Sequence, residues 1–188
     1  LVLNKLECRK FYNNINRIPV SIEAQQKWRK DLDIGNINWD KVYTAPLKSI
    51  EDLKLRELHY LIVHRILVTN RTLFNMGIQD VDICSFCNTS RETIQHLFTQ
   101  CPKIVKLWRD LEDWFRRTLN ITAQFTDKVI LFGLFETNQL LLNHIILIAK
   151  HYIYKTKFYQ SDAYLNVLLN QVKQVFEIEQ YNARLKMK

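Results

Sequence analysis

A mainly helical domain organised around one Cys-Cys-His-Cys zinc knuckle and followed by a helical C-terminal tail is predicted by three observations. Three of the four cysteines and one of the five histidines fall between Cys84 and Cys101 at metal-ligand spacing. Only 3 Gly and 3 Pro in 188 residues leave few of the turn-forming residues that a sandwich or barrel of short strands requires. Apolar residues recur at three- and four-residue spacing through several long segments. The 47% apolar content is ample for a buried core in a chain of this length.

Residues 1–20 mix Asn, Lys, Arg and apolar side chains without a sustained period and read as a lead-in segment. Residues 21–120 form the helical region that carries the motif at 84–101, and residues 121–188 form a helical, basic C-terminal region; the turn-like Asn120 to Lys128 marks the division. Within this frame a helix is expected from Ser21 to about Asp31, ended by Gly35, with Asn38 capping a turn that contains Trp39. Ser49 opens a capping signal, with Leu58, Leu61, Ile62 and Ile66 at helical spacing, and predicts a helix from Ile50 to Val68. Its other face, Lys54, Arg56, His59 and Arg65, is either solvated or part of a phosphate-binding surface. Asn70 is positioned to cap a short helix that stops at Gly77.

Pro102 suits the first position of the next helix, whose stripe of Ile104, Leu107, Trp108, Leu111, Trp114 and Phe115 reads as core. Lys106 with Asp110, and Asp113 with Arg117, are spaced to pair outside that stripe. Val129 to Leu134 fits a short strand or a helix start. Thr137 or Asn138 then caps a helix reaching about Tyr159, and Ser161 or Asp162 caps another from Ala163 towards Leu185.

The knuckle carries the clearest chemistry. Cys84-x2-Cys87, eight residues, His96, four residues and Cys101 supply three soft thiolates and one imidazole, the donor set that selects tetrahedral zinc. Thr89 with Glu92 reads as a capping box, so a helix is expected from near Ser90 with His96 two turns in. Four protein ligands leave no position for a reacting water, so one structural Zn2+ is expected, joining the first helical group to the helix bearing Trp108. His144 and His151 lack a carboxylate or thiol companion and read as a core-edge and a surface histidine. Asp80 and Asp82 are expected to face solvent.

The formal charge of +8 raises the prospect of a polyanionic partner. Lys150, Tyr154 and Lys157, with Lys155 beside them, give a basic face with aromatic interleaving that fits phosphates and bases, or a solvated amphipathic helix. No glycine-rich phosphate loop, nucleophile elbow or paired aspartates in an apolar setting occur, so this segment is expected not to be an enzyme. The longest apolar stretch, Leu140 to Ala149, is about half the ~20 residues of a membrane span and predicts no membrane partner. The start at Leu1 suggests an excerpt of a longer chain, and thiolate ligation suits a reducing, intracellular compartment.

Arg65-Ile66-Leu67-Val68-Thr69-Asn70, Leu73, Gly77-Ile78, Cys84-x2-Cys87, Glu92-Thr93, His96-Leu97-Phe98, Cys101-Pro102 and Trp108 resemble the zinc-binding region in the C-terminal part of LINE-type (non-LTR) retrotransposon reverse transcriptases. Ile130 to Gly133, Asn143-His144, Ala149-Lys150 and Tyr152-Ile153-Tyr154 are similar to the tail that follows it. The resemblance implies Cys84, Cys87, His96 and Cys101 as ligands in a polyprotein with polymerase and endonuclease domains. It further implies that the segment binds and positions template RNA or target DNA for target-primed reverse transcription, in cytoplasm and nucleus. Arg65, Arg71, Lys103, Lys150, Tyr154, Lys155 and Lys157 are the nucleic-acid contacts that chemistry suggests. The competing expectation is a scaffold that packs on the polymerase or on a host protein.

Overall fold

The computed structural model describes residues 23–35, 37–134, 139–159 and 161–186. The chain divides into two compact units after Gly35. In the first, α1 (Glu23–Leu32) buries Ala24 and Trp28, four residues apart on one face, while Glu23 pairs with Lys27 at 2.5 Å outside. Ser21, the expected start of this helix, and Cys8 lie outside the described residues.

The second unit opens with α2 (Trp39–Ser49), where Asn38 accepts from the Lys41 amide at 3.1 Å. The expected single turn is thus an eleven-residue helix. Pro46 inside it withholds the amide that would bond to Val42, and the Nε2 of His59 takes up that carbonyl at 3.2 Å. Ser49 therefore closes α2 instead of opening the next helix. Asp52 caps α3 (Leu53–Val63), accepting from the Lys54 amide at 2.8 Å.

Helix α3 stops five residues before the expected Val68. Arg65 takes a left-handed φ of 60°, the Arg65 amide returns to Ile62, and the Ile66 amide returns to Leu61, both at 3.0 Å. This is the capping geometry that glycine usually provides, here reached by an arginine. Thr69, not Asn70, caps α4 (Asn70–Asn75) through the Thr72 amide. The Asn70 side chain donates instead to the Ile83 carbonyl at 2.7 Å and to the Ser85 hydroxyl at 3.1 Å, across to the knuckle.

After the knuckle come α5 (Pro102–Trp114), a wide π-type turn at Phe115–Leu119 and α6 (Asp127–Phe132), which resolves the strand-or-helix ambiguity at Val129 in favour of a helix capped by Thr126. Helices α7 (Leu140–Phe158) and α8 (Leu165–Lys186) complete the described unit. Asp162 does not cap α8; it accepts from Lys103 at 2.5 Å. Thr137 and Asn138 lie outside the described residues.

Helix α7 is the spine of the unit, packed on α2, α3 and α8, while α3 also meets α6 and α5 meets α8. It is buried on nearly all sides from Asn143 to Lys150, which is why its apolar pattern has no clean polar face. Glu179 of α8 spans two elements, reaching the His144 Nε2 at 3.1 Å and accepting from the Glu51 amide at 3.2 Å. The described residues contain no strand beyond a single antiparallel bridge between Ile83 and Arg91, and none of their helices is long and apolar enough to cross a membrane.

Candidate metal centre

The knuckle is short because almost every residue in it has a fixed task. Ile83 and Arg91 bridge its base, the Cys84 amide donates to Ser90, and the Asn88 amide donates to the Cys84 carbonyl at 2.9 Å. Asn88 reverses the chain in a left-handed conformation with φ 55°, which asparagine tolerates better than most residues. Thr89 does not start a helix. Its hydroxyl donates to the Cys87 sulfur at 3.2 Å, and the helical turn begins at Ile94 with Thr93 accepting from the His96 amide. His96 therefore sits in the first turn, not the second.

From His96 to Gln100 the chain follows a π-type turn in which the Cys101 amide returns to the His96 carbonyl at 2.8 Å. The residue added relative to an α-turn lets His96 and Cys101 converge. Cys101 then enters α5, whose Lys103 and Ile104 amides point at its sulfur; those of Phe86 and Cys87 do the same for Cys84. Trp108 locks the turn from α5, its Nε1 donating to the Phe98 carbonyl at 2.8 Å.

The four ligand atoms of Cys84, Cys87, His96 and Cys101 lie within 4.8 Å of one another. Zinc with bonds of about 2.3 Å to sulfur and about 2.0 Å to nitrogen implies tetrahedron edges of about 3.8 Å between sulfurs and about 3.5 Å from sulfur to nitrogen. The Cys84 to Cys101 sulfur distance is 3.9 Å, and Cys87 Sγ lies 3.4 Å from His96 Nε2. Both match. Amides aimed at sulfur and a helix N-terminus at Cys101 favour thiolates. Crowding without a cation opposes them: the contact with Cys101 and burial push the Cys84 thiol up, while the Cys84 hydrogen bond pulls Cys101 down. A divalent ion resolves that conflict. The residues form one closed, structural zinc site with no open coordination position.

Such a site defines a structural zinc module. Residues 23–108 match the protein family described as zinc-binding in reverse transcriptase, and this similarity supports a zinc-binding region of the kind associated with reverse transcriptases. No curated protein matches the chain.

The expected nucleic-acid contacts fare unevenly. Lys150 is buried, its ammonium 2.9 Å from the Nδ1 of His59 and 3.4 Å from the Leu131 carbonyl. Lys157 is 4% exposed and pairs at 2.6 Å with Glu92, which is fully buried. Neither ammonium reaches a phosphate as placed, so the basic face expected along α7 is not a face: these two lysines continue the inward row Ile146, Lys150, Ile153, Lys157. Tyr154 donates to the Val68 carbonyl at 3.0 Å, and Arg65 is half-buried at its helix cap. Arg71 pairs with Asp82 at 2.6 Å, with Arg91 adding a longer contact; Asp82 is therefore an anchor instead of a solvent-facing acid. Lys103 is exposed and paired with Asp162, and Lys155 is exposed.

His59, expected on the outer face of α3, is buried too. The structure instead places His151 and Lys155 in a groove of about 230 Å³ lined by Asp52, Leu55, Ile148, Gln171 and Gln174 among others, with the Lys54 charge near enough to act on His151. Burial first, then the Lys155 and Lys54 charges, hold His151 below the usual histidine range, with Asp52 opposing. Glu92 is the residue that sequence reasoning misassigned most: its carboxylate is no helix cap but the most connected polar group beside the knuckle.

Proposed function

We propose that this chain is the nucleic-acid-positioning zinc module of a LINE-type retrotransposon polyprotein, holding template RNA or target DNA beside the polymerase and endonuclease domains during target-primed reverse transcription. The observation that carries this reading is the closed Cys-Cys-His-Cys centre within a segment matching reverse-transcriptase zinc-binding regions, on a chain of net charge +8. The zinc organises and does not react; exposed cations do the binding. Lys54 and Lys155, flanking His151, replace the buried Lys150 and Lys157 as the phosphate contacts, with Arg71 and Lys103 able to exchange their carboxylate partners for phosphate. This role places the protein in reducing compartments, cytoplasm and nucleus.

A second reading, a scaffold docked on the polymerase or a host protein, is favoured by the run of exposed apolar side chains Ile66, Met76, Ile78 and Val81 between α3 and the knuckle. Gel shifts of the zinc-loaded protein with single-stranded RNA and duplex DNA at ~50 mM salt separate the two. Binding that weakens with salt and with Lys54→Ala plus Lys155→Ala supports the first reading. Absence of binding, or affinity indifferent to salt and to both substitutions, rejects it in favour of the scaffold.

A further inference from the structure

The Glu92 carboxylate lies where three elements meet. Its Oε1 accepts from the Asn70 amide at the start of α4, at 2.9 Å, and lies 2.6 Å from the Lys157 ammonium in the last turn of α7. Its Oε2 accepts from the Ser85 amide at 3.0 Å and the Ser85 hydroxyl at 3.2 Å. Ser85 stands between the first two zinc ligands, so its amide is in place only while Cys84 and Cys87 hold the knuckle closed. The Lys157 ammonium also faces the rings of Tyr154 and Phe158 at 5.8 and 5.3 Å. Both charged groups are shut off from water, each depending on the other for compensation.

We propose that Glu92 is a positioning residue that couples zinc occupancy to the docking of the last turn of α7. With zinc bound, the Ser85 amide and hydroxyl hold the carboxylate at the depth where Lys157 meets it, and α7 seats Tyr154 against Val68. When the metal leaves, the knuckle opens and Glu92 loses two of its donors. A buried ion pair that loses its supporting hydrogen bonds no longer offsets its own desolvation, so carboxylate and ammonium separate into water. The turn carrying Tyr154, Lys155 and Phe158 then lifts, while residues 145–150, packed on α2 and α3, keep their place. Because coupling is reciprocal, loss of the pair weakens zinc as loss of zinc weakens the pair. The inference does not depend on nucleic-acid binding.

Hydrogen exchange on the full chain, zinc-loaded and chelated, tests it, together with zinc competition against a chromophoric chelator. Chelation is expected to raise exchange of the 154–158 amides at least tenfold more than that of the 145–150 amides. Lys157→Met is expected to abolish this metal dependence and to weaken zinc about tenfold, the scale of an outer-shell ligand support. Equal acceleration of both segments overturns the proposal, since it means global unfolding. Zinc affinity within twofold of wild type in Lys157→Met, with the difference between segments intact, overturns it as well. Should Lys157→Met not fold, the comparison of the two segments in the unsubstituted protein decides alone.

Discussion

The Lys150 ammonium donates to the Nδ1 of His59 across 2.9 Å, a buried amine and a buried imidazole that no carboxylate of the described residues touches. Because the His59 Nε2 faces the Val42 carbonyl, that nitrogen carries the ring proton and Nδ1 is left as the acceptor. Burial lowers Lys150 to about 7, and burial followed by the neighbouring Lys150 charge lowers His59 well below its usual range. A lysine with a depressed folded pKa is disfavoured in its charged form, so the unfolded chain holds the proton from about pH 7 up to about 10.5. Stability therefore rises with pH across that window, by at most about 1.4 kcal/mol per pH unit. Urea midpoints between pH 7 and 9 should climb more steeply in the wild type than in Lys150→Met; parallel slopes would contradict the assignment.

Removing one ligand should empty the site and open the knuckle. Cys101→Ser discards a thiolate that sits at the head of α5 and closes the His96–Gln100 turn. Bound zinc, measured by a colorimetric chelator assay, should fall from one equivalent to none at micromolar metal. The tetrahedral cobalt(II) absorption bands of the substituted wild-type protein should disappear in the same variant.

Asn88 gives a backbone test of the knuckle. Its φ of 55° is open to glycine and strongly unfavourable for a β-branched residue. Asn88→Gly should retain zinc affinity within a few-fold, whereas Asn88→Val should destabilise the folded protein by about 1–3 kcal/mol in chemical unfolding.

Salt titration gives a count of phosphate contacts. If Lys54 and Lys155 each touch one phosphate, their combined replacement by alanine should make the slope of log affinity against log salt shallower by about 1.8 on duplex DNA, or about 1.4 on single strands. Lys150→Met, which alters a buried group, should leave that slope unchanged.

Much of the scaffold is legible in the residue order. The ligand set, Pro102 at the head of α5 and the apolar stripe through Trp108 follow from local chemistry and periodicity and stand in the structure, except that Trp114 near the end of the stripe is only half-buried. What was not legible depends on partners far along the chain. Ser49, Asn70 and Thr89 have the same capping chemistry as Asp52, Thr69 and Thr93, and only the surrounding packing decides which one caps. The end of α3 was hidden because Arg65 occupies a cap conformation in which glycine is the usual signal. Lys150 and Lys157 read as surface charges because their partners, His59 and Glu92, lie far away in sequence. The row Ile146, Lys150, Ile153, Lys157 was the available clue that both lysines point inward.

The wide turn from His96 to Gln100 makes residue count a structural variable in its own right. The turn closes over five residues, so deleting one of the four between His96 and Cys101 would tighten it to α-helical width and draw the last sulfur about one residue's rise along the axis, away from its place opposite the other three ligands. No exchange of one side chain for another reproduces that displacement. The finger is in this sense written in lengths as much as in letters, and a change of frame by one position would disable it while leaving every ligand present.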